Sequence, residues 1–330
     1  MAELKVALVG CGRIAQAHAR ALQNVAGLRL CGVYDVDAGG AARFGRDWHA
    51  PAFGDLENLL AMTRPDAAIL CAPPLYHPVV ATQLLEAGVH ILCEKPLAIA
   101  PPEADAMAQT ARAHDRVLMM ASKFRFCDGV RAAREVVSAG TLGDLRQCAV
   151  TFCASVDMSG RWNSDPRIAG GGVLMDNGPH ALDILRFVLG GSLTEFSPTA
   201  LRTTLTQGVP LPVESEAQVT LEVIPALRCE VNLSWTAPAP DQMFLSVAGE
   251  DATLVVEWKD TWLTDARGER QRVANGYDKD VAFERQLAHF GACVRGVASW
   301  QSALDDALWG VRTLEAAYRA ARDAESSVPT

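Results

Sequence analysis

Gly10-Cys11-Gly12-Arg13-Ile14-Ala15 follows an apolar run from Leu4 to Val9, and a second apolar run, Leu28 to Tyr34, ends on Asp35. A strand that enters a glycine-rich turn and leaves as a helix is a phosphate cradle. Gly10 permits the tight turn, Gly12 lets the backbone approach a pyrophosphate, and Ala15 is small enough for the helix to pack on the strand. The free N–H groups at the helix start, from Arg13 and Ile14 onward, attract phosphate. Asp35 stands at the usual distance to accept hydrogen bonds from an adenosine ribose diol. Strand, turn, helix, strand and carboxylate in this order predict a dinucleotide site. A carboxylate at position 35 binds the 2′-hydroxyl of NAD and repels the 2′-phosphate of NADP. Its neighbours are Tyr34, Val36 and Asp37, and the next basic residue is Arg43, so NAD is the expected cofactor.

Outward from this stretch, strands and helices alternate. Strands are predicted at 4–9, 28–34, 66–71, 89–93 and 117–121, with a weaker one at 49–53. They are near-continuous apolar runs, as parallel strands covered on both faces should be. Helical patterns fall at 13–24, 37–47, 55–62, 76–87 and 102–114. This is an α/β, doubly wound parallel sheet. After a helix near 128–139 the pattern changes. Residues 144–156, 193–206, 213–224, 227–236, 242–248 and 253–258 read as strands, several of them alternating, with breaks such as Pro225-Ala226. They imply a six-strand, largely antiparallel sheet in an α+β domain. Helices are predicted at 179–189, with Pro179 at its start, and at 279–296 and 302–322. The division expected is 1–122 and 123–330, with the last helix able to pack back on the first domain.

The bulk numbers fit two ordinary domains: 330 residues, 49% hydrophobic and 21% charged. A net charge of −9 speaks against a nucleic-acid or anionic-membrane partner. No apolar stretch approaches the roughly 20 residues of a membrane span. Glu3 and the lack of a basic N-terminal region speak against a signal peptide, so the expected location is the cytoplasm. Nine scattered cysteines, with no C-x-x-C, read as buried small hydrophobes in a reducing compartment. No histidine pair has metal-ligand spacing, and no metal is expected.

Three further segments carry chemistry. Ala72-Pro73-Pro74-Leu75-Tyr76-His77 and Cys93-Glu94-Lys95-Pro96-Leu97 follow predicted strands, at the carboxyl ends where open α/β sheets bind ligands. Gly170-Gly171-Gly172-Val173-Leu174-Met175-Asp176-Asn177-Gly178-Pro179-His180-Ala181-Leu182-Asp183 lies in the second domain. An imidazole titrates near neutrality and suits removal of a hydroxyl proton, which makes His180 the candidate base. Asp176 either orients that imidazole or binds a substrate hydroxyl. Lys95 can hold a developing alkoxide by charge and hydrogen bond. His77 is expected to brace the cofactor loop, and the triple glycine to leave space for substrate or nicotinamide.

With these segments in order, and with Trp162 and Asp165-Pro166 before the glycines, the chain resembles the glucose–fructose oxidoreductase / inositol dehydrogenase / MocA family. The resemblance implies an N-terminal Rossmann domain and a C-terminal domain whose open-faced sheet mediates oligomerisation. A homodimer or homotetramer is therefore expected. It implies cofactor contacts from Gly10, Gly12, Arg13, Ile14, Asp35, Ala72, Pro73, His77, Glu94 and Lys95, with Glu94 on the nicotinamide-side ribose. It assigns catalysis to Lys95, Asp176 and His180, and it implies a cis peptide between Lys95 and Pro96.

The substrate side is read from Lys123, Arg125, Arg161, Trp162, Asn163, Arg167 and Asn177, assigned to the second domain. Cations beside an apolar ring suit a polyol with an anionic group, such as a uronate or a phosphorylated sugar. The leading expectation is an NAD-dependent dehydrogenase acting on a secondary alcohol of a sugar, sugar derivative or cyclitol. The alternatives are a redox-neutral enzyme that retains its NAD, for epimerisation or elimination, and a non-catalytic NAD-dependent sensor.

Overall fold

The computed structural model describes residues 3–190, 201–206, 211–223, 227–237 and 242–326. They form two compact units, one of residues 1–123 with 279–308 and one of 124–278 with 309–330. The first unit is therefore not contiguous, and the segment that rejoins it is 279–308 rather than the last helix alone. The Pro225-Ala226 break and the first half of the 193–206 run lie outside the described residues.

The first unit begins β1 (Leu4–Val9), α1 (Arg13–Asn24), β2 (Leu28–Tyr34), α2 (Ala38–Asp47), β3 (Ala52–Phe53) and α3 (Leu56–Thr63). It continues with β4 (Ala67–Leu70), α4 (His77–Glu86), β5 (His90–Cys93), α5 (Pro101–Ala113) and β6 (Leu118–Met120). The strand order is β3-β2-β1-β4-β5-β6. Every neighbouring pair is parallel. The order reverses at β1 and β4, the crevice where this topology binds ligands. The apolar runs are strands because both faces are covered: Leu8, Ile69 and Leu92 are fully buried. Asp37 caps α2 through the Gly39 N–H and Asp55 caps α3 through the Asn58 N–H, each worth about 1 kcal/mol.

The second unit holds α6 (Asp128–Ser138), β7 (Leu145–Cys153), α7 (Pro166–Ala169), α8 (Val173–Leu189) and β8 (Leu201–Thr206). Then come β9 (Glu216–Val223), β10 (Leu227–Ser234), β11 (Met243–Gly249), β12 (Ala252–Glu257), β13 (Asp260–Asp265) and β14 (Arg270–Asn275). The chain closes with α9 (Lys279–Val294) and α10 (Gln301–Ser326). α9 lies on α1 in the first unit, where Phe283, Leu287 and Phe290 join the buried core. Each such side chain contributes about 1.5–3 kcal/mol by leaving water.

The second sheet has eight strands in the order β14-β13-β12-β11-β7-β10-β9-β8. Two more strands are present than the sequence pattern predicts. β13 (DTWLTD) and β14 (RQRVAN) are polar, and their pairing is fixed by the neighbouring strand rather than by an apolar face. The ladder is antiparallel except where β7 meets β10. On one side of it Phe124, Phe152, Phe244, Trp258 and Tyr277 form an aromatic cluster, with ring centroids 4.8–6.5 Å apart. No helix among the described residues is long and apolar enough to cross a membrane.

Candidate active site

In the first unit the glycine turn is built against the end of β4. Gly10 has φ +93°, and a Cβ there would lie 2.7 Å from the Cys71 carbonyl carbon and 2.8 Å from the Ala72 nitrogen. Only glycine meets both demands. Gly12 is exposed, and nothing approaches its Cβ position within 4 Å. It is the N-cap of α1, yet no side chain caps that helix. The first N–H groups of α1, those of Arg13, Ile14 and their neighbours, thus keep their need for an acceptor, the condition for phosphate binding. Arg13 is exposed and Ile14 half-buried.

The Asp35 carboxylate is aimed by two amides. Oδ2 accepts from the Cys11 N–H at 2.7 Å and Oδ1 from the Asp37 N–H at 2.9 Å. The next basic residue along the chain, Arg43, reaches Asp37 at 3.5 Å. Burial, followed by the Asp35 charge, pushes the Cys11 thiol up to about 12, so it stays neutral beside the turn. These residues fit a dinucleotide with a free 2′-hydroxyl: an uncapped helix start, a backbone with room beside it and an oriented carboxylate.

His77 is fully buried and spans two loops, with Nε2 2.8 Å from the Ala72 carbonyl and Nδ1 2.9 Å from the Pro96 carbonyl. Burial lowers its pKa, against the pull of these carbonyls. It ties the Ala72-Pro73 segment to the Lys95–Pro96 peptide, which is cis. Lys95, the first residue of that bond, is half-exposed. Glu94 is buried. Burial alone would raise its carboxyl, but the His18 hydrogen bond and the charges of His18, Lys123 and Lys95 outweigh it and hold the group below its ordinary value. Lys123 therefore lies by Glu94 in the first unit, and its ammonium stands 5.7 Å from the Phe283 ring centre. This corrects its assignment to the second domain.

In the second unit, Asp176 and His180 are four residues apart on α8 and share one helical face. Asp176 is half-buried, with the Asn163 amide 3.4 Å from Oδ2. His180 is 8% exposed and sits edge-on to Phe124 at 5.2 Å between ring centres. Trp162, in the short turn before α7, is 45% exposed, while Asn177 is half-buried. Arg161 lies within electrostatic reach of Asp157.

Arg125 and the start of α8 depart from expectation. Arg125 is no substrate cation: it grips Asp183 through Nε at 2.9 Å and Nη2 at 2.6 Å, with both side chains at most 10% exposed. Arg167 is paired with Asp165 two residues before it and is otherwise in solvent. α8 begins at Val173, six residues before Pro179, which lies inside the helix. The earlier start is held from outside. Glu214 Oε1 accepts from the Gly172 and Leu174 N–H groups at 2.9 and 3.2 Å, and the Glu214 carbonyl accepts from Val173 at 2.9 Å. Tyr318 on α10 donates its hydroxyl to the same Oε1 at 2.5 Å. The triple glycine serves this packing. A Cβ on Gly171 would lie 2.1 Å from the Tyr318 hydroxyl, and one on Gly172 2.0 Å from the Glu214 carbonyl oxygen.

Two family models match the chain in sequence order. Residues 4–122 fit an oxidoreductase family with an NAD-binding Rossmann fold, and residues 130–255 fit the GFO/IDH/MocA C-terminal domain. The chain belongs to this family. Among its GFO/IDH/MocA relatives is D-glucoside 3-dehydrogenase of Escherichia coli K12, 32% identical over 57% of this chain and 54% of the relative. Glucose-6-phosphate 3-dehydrogenase of Bacillus subtilis 168 is 28% identical over 56% of this chain and 53% of the relative. The chain thus spans about half the length of these curated relatives. An inositol dehydrogenase homologue from Azotobacter vinelandii, crystallised with NAD+, shares the fold with a TM-score of 0.85. It is 22% identical, over 98% of this chain and 96% of that one.

In this GFO/IDH/MocA chain, sequence reasoning passed over His18, Glu214 and Tyr318. His18 carried a signal, a histidine at helical spacing among the buried Ala15, Ala19 and Leu22. Glu214 and Tyr318 carried none, because each is defined by partners far along the chain.

Proposed function

We propose that the protein is an NAD-dependent dehydrogenase that oxidises a secondary alcohol of a sugar, sugar derivative or cyclitol. The observation that carries the reading is the placement of Asp176 and His180 on one face of α8, in a chain that also keeps Lys95 just past the carboxyl end of β5. Gly10, Gly12, Arg13, Ile14 and Asp35 hold the adenosine and pyrophosphate half. Ala72, Pro73, His77, Glu94 and Lys95 shape the nicotinamide half. A bound nicotinamide supplies the hydride acceptor.

The chain's own residues supply the proton chemistry. The His180 imidazole takes the hydroxyl proton as the hydride leaves the same carbon, a role worth roughly 10²–10⁴-fold in rate. The Lys95 ammonium stabilises the alkoxide as it forms. Asp176, with Asn163 at its side, accepts hydrogen bonds from substrate hydroxyls, and the exposed Trp162 ring offers an apolar face to a sugar ring.

The names of two relatives, a glucoside and a glucose-6-phosphate 3-dehydrogenase, support a hexose ring as substrate. With Arg125 committed to Asp183 in a buried pair, a neutral sugar is favoured over a uronate or phosphate. The test is a screen of glucosides, free hexoses, hexose phosphates and inositols with NAD+, read by nicotinamide absorbance. Reduction of NAD+ by a neutral sugar is expected. Absence of reduction across the screen, with NAD+ bound, would turn the reading toward the redox-neutral or sensor alternatives.

A further inference from the structure

Within the first unit, Glu94 has a partner that comes from the phosphate-binding helix itself. His18 Nε2 on α1 lies 2.7 Å from Glu94 Oε1, and His18 is completely buried. The second carboxylate oxygen meets the Lys95 backbone N–H at 3.2 Å. The opposite ring nitrogen of His18, Nδ1, is buried without a hydrogen-bond partner among the described residues. The Phe283 ring meets the imidazole edge-on, 4.9 Å between ring centres. A buried imidazole with one nitrogen unpaired is costly, by about 1–3 kcal/mol for the orphaned atom. An aliphatic side chain would fill the same apolar surroundings at no such cost. Among the described residues, the one polar contact it makes is to Glu94.

The geometry points to His18 as a positioning residue that fixes the Glu94 carboxylate for the nicotinamide-side ribose of NAD. This inference rests on the cofactor reading above and deepens it. The physical argument has three steps. An ionised carboxylate only accepts hydrogen bonds, so His18 Nε2 carries the proton and donates it. A charge-assisted hydrogen bond of this kind holds the acceptor in one rotamer at the end of β5. The remaining lone pairs of Glu94 are then presented in a fixed direction to a ribose diol, which donates to them. The charged or titratable groups around Glu94 are Lys95, Lys123, His77, Cys71 and Cys93 as well as His18. Of these, His18 alone is both fully buried and within a short hydrogen bond of a carboxylate oxygen. The arrangement also joins two parts of the cofactor site through one side chain: α1 begins at the glycine turn, and His18 stands one turn and a half further along it.

Binding measurements on the full chain test this with three probes: NADH, ADP-ribose and ADP. NADH and ADP-ribose carry the second ribose, and ADP lacks it. His18→Leu removes the donor at similar volume. It should weaken NADH and ADP-ribose by about tenfold or more and leave ADP within about twofold. His18→Gln, which can place an N–H near the position of Nε2, should recover most of the NADH affinity. In a Glu94→Gln background, adding His18→Leu should cost little, because the acceptor charge is already gone. Unchanged NADH binding by His18→Leu would overturn the inference. A parallel loss of ADP would also overturn it, because the effect would then be on α1 as a whole. Failure of the wild type to bind NADH would instead overturn the cofactor reading beneath it.

Discussion

Cys11 and Asp35 are joined by a 2.7 Å hydrogen bond from the backbone N–H of one to the carboxylate of the other. The turn proposed to hold the phosphates therefore also sets the carboxylate proposed to read the adenosine ribose. Asp37 fixes the second oxygen at 2.9 Å and also takes up Arg43. A 2′-phosphate placed here meets a rigid negative charge.

NAD should accordingly bind more tightly than NADP at equal ionic strength. Asp35→Ala should weaken NAD by about tenfold and relax the discrimination. Dissociation constants for both cofactors, measured by nicotinamide fluorescence, check this. Tighter NADP binding by the wild type would contradict the reading of Asp35.

His180→Ala should lower turnover by roughly 10²–10⁴-fold on a true substrate. NAD affinity should barely move, since the residues proposed to hold NAD lie in the first unit. Lys95→Ala should damage turnover comparably. The double variant should lose far less than the product of the two effects, as residues that act in one step do. Near-normal turnover in His180→Ala would remove it from the proton transfer.

The Arg125–Asp183 pair is buried and bidentate, so loss of one partner strands a charge in the core. Arg125→Ala should destabilise the protein by about 3–5 kcal/mol in urea unfolding. A cost within about 0.5 kcal/mol would place Arg125 at the surface, where its first assignment as a substrate cation would stand again.

Removing the Glu214 clamp should loosen the start of α8. Tyr318→Phe deletes one donor, and Glu214→Ala deletes the acceptor of two amides, at about 1–3 kcal/mol each. Gly172→Ala should be worse tolerated than Gly12→Ala, because a methyl at 172 meets the Glu214 carbonyl while position 12 is open. Thermal melting of the four variants orders these effects.

Stability should also fall on the acid side. His77 is held below its ordinary 6.5 by burial. As the pH drops through about 6.5 the unfolded chain takes up a proton that the folded chain resists, so stability is full above that range and lost below it. Glu94, also held down, adds a loss that begins only below the ordinary carboxylate range. Urea midpoints from pH 8 to 5 should show the decline, and His77→Gln should flatten its upper part. A flat profile in the wild type would remove His77 as the cause.

The first sheet was legible because each cue was local. Apolar runs, the glycine turn and Asp35 lie within a few residues of what they specify, and β1, β2 and α1 fall where the pattern predicts. The second unit was legible only in part. Pro179 reads as a helix start, yet α8 starts earlier because Glu214, far along the chain, supplies the missing cap. Arg125 reads as a free cation until Asp183 is folded against it. The glycines at 171 and 172 read as space for a ligand, and that space is taken by Tyr318 and Glu214. Glu214, Asp183 and Tyr318 are long-range partners that no local window contains.

The return of α9 to the first unit sets the order of events during synthesis. When residue 123 leaves the ribosome the parallel sheet is whole, but α1 still lacks its cover. Phe283, Leu287 and Phe290, which close that seam, arrive only after the entire eight-stranded sheet has been made. The nascent amino-terminal segment therefore carries an open apolar stripe along α1 through most of translation, a state in which chains of this size aggregate or engage chaperones. A fragment ending at residue 122, though it holds the full glycine turn and Asp35, is on this account a sticky intermediate and not a free-standing nucleotide-binding module.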